Sequence, residues 1–290
     1  MKIAVLSGKG GVGKSTVSAS LAKVLSERGP VVAADCDVDT PNLGILFGMD
    51  KRNFEKEWVS TGEKAVLDEE KCIGCKKCMG ICVFSAINWG DGKPEFDRLA
   101  CEGCGACSLA CPVGAIRLEQ VENGWIGDAE KGRIGIATGQ LKMGEAGSGD
   151  IVDLVKKRAE KIRLKMGAEH TIIDSAAGIG CPVIASVAGI DYAVAVTEPT
   201  PSAFSDLERA LDVVEHFKIP FGIVINKSTL DSEFSGKMKE KAEERGAEVI
   251  GEFPYDKKFL DAAVGMKPVV EIAPEYRKEF EKILERTGVL

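Results

Sequence analysis

The stretch SGKGGVGKST at positions 7–16 constrains this chain more than any other. Gly8, Gly13, Lys14 and Ser15 fall on the phosphate-loop spacing G-x-x-x-x-G-K-[ST], directly after an apolar run at 3–6 and directly before a helical pattern. That order of strand, glycine loop and helix is the setting the motif requires. Gly8, Gly10, Gly11 and Gly13 allow the backbone to wrap closely around phosphate oxygens, with N–H groups pointing inward and the positive end of the next helix behind them. The expected nucleotide cradle is therefore Gly8, Lys9, Gly10, Gly11, Val12, Gly13, Lys14, Ser15 and Thr16. Lys14 neutralises the outer phosphates, and the Ser15 hydroxyl can hold a magnesium ion.

The acidic positions that such a loop needs lie at the ends of two later apolar runs. The first run, at 31–34, follows a helical pattern stopped by Gly29 and Pro30 and leads into Asp35-Cys36-Asp37-Val38-Asp39. Acidic residues at the carboxyl end of a parallel strand sit beside the phosphates in doubly wound folds. The second run, at 171–173, ends in Asp174-Ser175-Ala176-Ala177-Gly178, a Walker B pattern with its carboxylate near magnesium or its water. Beyond it, apolar runs at 192–197, 221–225 and 248–253 alternate with helical patterns at 202–217 and 233–245. Strands separated by helices of this length predict a parallel sheet covered on both faces.

Between about 60 and 120 this alternation stops and cysteines take over. Cys72, Cys75, Cys78 and Cys82 are followed, at a constant offset, by Cys101, Cys104, Cys107 and Cys111. The spacing C-x-x-C-x-x-C-x-x-x-C is thus written twice, CIGCKKCMGICVFSAI against CEGCGACSLACPVGAI, as an internal duplication. Three thiolates at every third position can each reach a different iron of a cubane, leaving the last iron for a distant cysteine. Tetrahedral zinc is the competing chemistry, but it usually takes separated pairs rather than tight triplets. Val83 stands where the second copy has Pro112. A segment of about 60 residues is marginal without a staple, so the insert is expected to unfold if iron is removed.

The sequence resembles two known families. KGGVGKST, with its early Lys9, resembles the deviant Walker A motif of the MinD, ParA and Mrp ATPases, a clan that includes the nitrogenase iron protein. The doubled cysteine run resembles two-cluster bacterial ferredoxins. The first resemblance implies that Lys9 reaches the phosphates of a facing subunit, as an arginine finger would, worth about three to five orders of magnitude in rate. It implies that Asp37 orients or activates the attacking water, that Ser15, Asp35, Asp37 and Asp174 organise magnesium, that Gly178 senses the γ-phosphate, and that Asn226 contacts adenine. The catalytic set would be Lys9, Lys14, Asp37 and Asp174. The second resemblance implies one 4Fe-4S cluster on Cys72, Cys75, Cys78 and Cys111, and another on Cys82, Cys101, Cys104 and Cys107. Cys181, seven residues past Asp174, matches the offset of a cluster ligand in the nitrogenase iron protein and is a possible extra thiol site, although the glycine spacing differs.

The expected architecture is a doubly wound, mostly parallel α/β P-loop domain from 1–60 and 121–290, carrying a small α+β ferredoxin domain at 61–120. ATP or ADP, magnesium and two clusters are the implied cofactors. An ATP-dependent homodimer or related heterodimer, with a redox partner or an apo iron-sulfur acceptor, is the implied assembly. Ten cysteines with no export signal favour metal or redox chemistry over disulfides and a cytoplasmic setting. A net charge of −7 and a pI near 5.2 argue against nucleic acid as partner. The lysines and arginines of the helical stretch 151–166 are expected on a solvated face. No apolar run is long enough for a membrane anchor, and the amphipathic stretch 275–286 is expected to dock on the domain. Cys36 is expected as a small buried residue. The stretch 125–148 suggests short strands or a hairpin, ending in a loop flexible by composition at 144–149. Three functions compete: ATP-gated electron transfer, Mrp-type cluster carriage, and a positioning ATPase with structural clusters.

Overall fold

Ile3, Ala4, Val5 and Leu6 are all 0% exposed, because the strand they form, Lys2–Ser7, has parallel strands on both sides. A continuous apolar run of this kind suits a strand covered on both faces, where alternation would bury polar groups. The computed structural model describes residues 1–290. The principal sheet has nine strands in the order Glu248–Glu252, Phe221–Ile225, Tyr192–Thr197, Lys2–Ser7, His170–Ala177, Val31–Cys36, Ile134–Leu141, Gly124–Lys131 and Glu55–Val59. The first seven run parallel in register. Ile134–Leu141 follows Gly124–Lys131 after a two-residue turn containing Gly132, a connection only an antiparallel pair can use. The expected mostly parallel α/β sheet is present.

The chain divides into two compact units. The first comprises Met1–Glu57, Ile126–Gln140 and Ser148–Leu290; the second comprises Trp58–Trp125 and Leu141–Gly147. In the first, connections from Lys2–Ser7 lead to one side of the sheet early in the chain, while Tyr192–Thr197 and later strands fill the other. Ligands bind in the crevice this reversal opens at the carboxyl ends of the strands, and the phosphate loop begins there. Helices are started by side chains that accept orphan N–H groups: Thr200 from Ala203, and Asp231 from Phe234. The last helix, Arg277–Arg286, buries Phe280, Ile283 and Leu284 completely, each worth about 1.5–3 kcal/mol, so it is docked on its domain. No helix is long and apolar enough to cross a membrane.

The second unit repeats itself. Gly62–Leu67 pairs antiparallel with Ile116–Val121, and Ile87–Gly90 with Lys93–Phe96. The pairs Leu67↔Ile116 and Phe96↔Ile87 are equivalent under the sequence duplication, so the first strand of each half pairs with the last strand of the other half in the same register. Short helices, Lys77–Ile81 and Ala106–Ala110, follow the cysteine loops at matching positions. The left-handed residues match as well: Gly74 with Gly103, Lys76 with Gly105, Ser85 with Gly114.

Leu141–Gly147 belongs to this unit, although the composition of 144–149, which overlaps it, predicts a flexible loop. Asn123, fully buried, explains the difference. It accepts from Thr61 N–H at 2.9 Å, donates to the Ala146 carbonyl at 2.7 Å, and its own carbonyl accepts from Lys142 N–H at 2.8 Å.

Candidate functional site

In the first unit, the phosphate-loop lysine is committed to a carboxylate. Lys14 begins the helix Lys14–Ser26 and is 7% exposed. Its Nζ donates to Asp174 Oδ1 at 2.9 Å, and Ser18 Oγ, one turn along, donates to the same oxygen at 2.9 Å. Burial alone would depress the Lys14 ammonium, but Asp174, with Asp37 and Asp35 further off, holds it above its ordinary value. The other Asp174 oxygen, Oδ2, is buried with no hydrogen-bond partner. An orphaned buried oxygen costs about 1–3 kcal/mol or more, and a cation or its bound water would satisfy it.

Asp35 stands directly beside Asp174, because Val31–Cys36 and His170–Ala177 pair with these two residues in register. Burial and this neighbouring carboxylate push Asp35 up to about 8, against the Leu43 N–H that donates to Oδ2 at 2.9 Å. Asp37 is raised by burial, with Lys14 and Thr40 pulling it back; Thr40 donates to Oδ1 from both N–H and hydroxyl, at 3.3 and 3.1 Å. One ammonium faces three carboxylates, so full ionisation leaves an excess of negative charge suited to a divalent cation.

The loop itself is fixed by residues far away in sequence. Asn226, 4% exposed, donates from Nδ2 to the Val12 carbonyl at 2.8 Å and accepts the Lys227 N–H at 2.9 Å. A Cβ on Gly13, whose φ is 100°, would lie 2.3 Å from that Nδ2. Its amide is thus directed at the loop backbone. Glu198, at the end of Tyr192–Thr197, holds Lys227 at 2.7 Å and Lys9 at 3.5 Å, while Lys227 donates to the Gly11 carbonyl at 3.0 Å and Lys9 to Ser202 Oγ at 3.3 Å. Neither Glu198 nor Ser18 was visible as a site residue in the sequence; the usable signal was that Glu198 follows an apolar strand at its carboxyl end. Gly178, with φ 95°, donates its N–H to the Ser7 carbonyl at 2.9 Å, tying the end of the Walker B strand to the start of the phosphate loop.

Other thiols and basic residues of this unit fall elsewhere. Cys36 is fully buried, and burial pushes its thiol up. Cys181 is exposed at the first turn of Cys181–Val187. The basic helix Ser148–Met166 is less solvated than its charges suggest: Lys156 donates to the Ala185 and Ala188 carbonyls at 2.6 Å, and Arg158 pairs with Asp128 and Glu57.

In the second unit the eight cysteines line two cavities. Cys72, Cys75, Cys78 and Cys111 border one, with Trp89 and Pro94. Cys82, Cys101, Cys104 and Cys107 border the other, with Phe84 and Phe96. No group of three or more His, Cys, Asp or Glu side chains converges on a point that would hold a single metal ion. The Ala86 and Ala115 N–H groups donate to Cys82 Sγ and Cys111 Sγ at 3.4 and 3.2 Å. Burial would raise the Cys111 thiol, but backbone N–H groups from Val113 to Ile116 outweigh it and hold it below its usual range.

The sequence profile of the CobQ/CobB/MinD/ParA nucleotide-binding domain matches residues 3–269. The chain belongs to this family. Within the CobQ/CobB/MinD/ParA family, Uncharacterized protein MJ0578 of Methanocaldococcus jannaschii is 40% identical over 233 residues, covering 80% of each chain. The iron-sulfur cluster carrier protein of Pyrococcus horikoshii is 24% identical over 98% of this chain and 84% of its own. Among solved structures, the septum site-determining protein MinD with Mg-ADP from Pyrococcus horikoshii has a TM-score of 0.58 at 18% identity, covering 98% of this chain and 94% of its own. Cyanothece McdA has a TM-score of 0.60 at 16% identity, covering 100% and 96%. Those likenesses fix the fold. As a member of this nucleotide-binding family, the chain has its phosphate loop, Asp35 and Asp174 gathered at the carboxyl ends of adjacent strands.

Proposed function

We propose that this chain is an ATP-hydrolysing iron-sulfur protein that couples nucleotide state to electron transfer through two 4Fe-4S clusters. The observation that carries this reading is the sorting of eight thiols into two cavities, each lined by three from one loop and one from the other. Cys72, Cys75, Cys78 and Cys111 hold one cluster; Cys82, Cys101, Cys104 and Cys107 hold the other. Such cubanes accept and release single electrons. The chain supplies the thiolates, backbone N–H groups that stabilise two of them, and aromatic walls that limit water.

At the nucleotide, Lys14 exchanges Asp174 for the outer phosphates as ATP enters. Ser15, Asp35, Asp37 and Asp174 would organise magnesium, which would supply charge neutralisation at the phosphates. Asp35, held protonated by burial and by Asp174, would have to release its proton to solvent to serve as a cation ligand. Asp37 orients the attacking water, and Gly178 responds to the γ-phosphate. Lys9 leaves Glu198 and Ser202 to reach the phosphates of a second chain in an ATP-dependent homodimer or related heterodimer. Asn226 serves the adenine side of the cradle. The insert lies in sequence between Asp37 and Asp174, the two segments that answer to nucleotide, which supports transmission to the clusters. A redox protein or an apo iron-sulfur protein accepts what the clusters deliver.

Cluster carriage is the second reading, supported by the resemblance to the Pyrococcus horikoshii carrier and by the exposure of Cys181. Electron paramagnetic resonance of anaerobically purified protein, with and without ATP, separates them. Electron transfer gives two reducible cubane signals retained through turnover. Iron lost to an apo-acceptor only when ATP is present supports carriage instead, and a preparation without cubanes sinks both.

A further inference from the structure

The strand Gly62–Leu67 buries a lysine in a unit with little interior to spare. Lys64 is 2% exposed; its Nζ donates to the Cys101 carbonyl at 2.8 Å and lies 3.1 Å from Glu145 Oε2. Removing an ammonium and a carboxylate from water is costly, and their attraction seldom returns more than that cost. Stability alone is a weak reason for the pair.

Lys64 does not itself line a thiol cavity, but the backbone it holds does. Cys101 lines the cavity shared with Cys82, Cys104 and Cys107, as does Ala65, the residue after Lys64. Gly103, in the same loop, has φ 64°, and a Cβ there would come 2.2 Å from the Glu63 carbonyl oxygen. The loop is therefore pressed against the strand at the point where Lys64 enters it.

The duplication provides an internal comparison. The residue equivalent to Lys64 in the second half is Lys93, which pairs with Glu69 at 3.1 Å, the two side chains being 38% and 73% exposed. Solvent and salt screen that pair; they screen Lys64 far less. The sequence repeats, but the electrostatics at the two positions do not.

We propose that Lys64 and Glu145 set the potential of the cluster held by Cys82, Cys101, Cys104 and Cys107. This rests on the two-cluster reading above. Lys64 acts as a positioning residue through the Cys101 carbonyl, and its positive field favours the form carrying one more electron. Glu145 limits that field. Reduction adds one electron and no proton to the cluster, drawn from a one-electron donor, which is dithionite in the test below.

The test uses the full chain, reconstituted anaerobically, in mediated dithionite titrations followed by electron paramagnetic resonance. Lys64→Met is expected to make one of the two reduction steps harder by about tenfold in its equilibrium constant, about 59 mV for one electron, and to leave the other step within about twofold. Glu145→Gln is expected to move the same step the opposite way, and Lys93→Met to move neither beyond about twofold. Opposite signs are the outcome that a purely structural role does not give. If Lys64→Met fails to retain its clusters, the isosteric Glu145→Gln decides alone. Shifts of the same sign, or intact clusters with unmoved potentials, overturn the proposal and leave the two-cluster reading standing. Wild-type protein without cubanes overturns both.

Discussion

The two units solve the problem of a buried interior in opposite ways. In the first, Ile3, Leu21, Ile136 and Phe280 are completely buried, and the charged site is a polar island whose Lys14 and Asp174 already compensate each other. In the second, the buried cluster is Ala65, Cys78, Ala86, Ile87, Cys101, Cys107 and Ile116, while Ile73, Val83 and Leu109 are 66%, 84% and 90% exposed. Thiols stand inside where large apolar side chains would otherwise be. One unit owns its core; the other, on the proposed two-cluster reading, would take its ligand as core.

The sharpest way to break this comparison is to remove the iron. Chelation under reducing conditions, or the double change Cys75→Ser and Cys104→Ser, is expected to abolish amide protection in the cysteine-bearing unit while leaving Lys2–Ser7 and His170–Ala177 protected in hydrogen exchange. Protection that survives in Gly62–Leu67 would give that unit a sufficient core of its own. Next in size is Asp37→Asn. It is expected to cut ATP hydrolysis by about 10²–10⁴ with iron content unchanged, measured by phosphate release and iron assay. A loss of iron in that variant would blur the division of labour between the units.

The smallest effect is a pH dependence confined to the first unit. Asp35 has its folded value raised to about 8 from 3.8, so the folded state holds a proton the unfolded chain has released. Its contribution is full below the unfolded value and is lost as pH rises through about 8. Asp37 is shifted the same way, whereas the Lys14 contribution is constant below its ordinary value of 10.5 and is lost only above it. Without nucleotide and magnesium, the melting temperature is expected to fall between pH 5 and pH 8 by at least about 2–4 °C, the shift that 1 kcal/mol produces in a domain of this size. Asp35→Asn should flatten the slope; an unchanged slope assigns it to other groups.

Much of the first unit could be read directly because its signals are local. An apolar strand, a glycine loop and Lys14 are adjacent in sequence, and Tyr192–Thr197 and Phe221–Ile225 begin and end where the pattern puts them. The strand expected at 31–34 extends to Cys36, because Asp174 and Ser175 pair with Asp35 and Cys36 in register, and pairing overrides the polarity of an aspartate. What the pattern could not show are single long-range bonds. Asn123 joins Thr61 to Ala146, which carries the second unit beyond 61–120 to Trp58–Trp125 and Leu141–Gly147. Lys64 reads as a solvent-facing strand residue by type and is buried by a carboxylate far along the chain. The cysteines were legible as a set from their spacing; their division between two cavities came from the resemblance to ferredoxins.

The placement of strands also bears on the order in which a ribosome delivers them. Lys2–Ser7 precedes the cysteine-bearing unit in the chain, yet both of its neighbours, His170–Ala177 and Tyr192–Thr197, emerge after that unit has ended at Gly147. A nascent chain therefore completes the eight-cysteine unit while the sheet that carries the phosphate loop still lacks its middle. Completion of the cysteine-bearing unit and completion of the nucleotide site are separated in time by the topology itself.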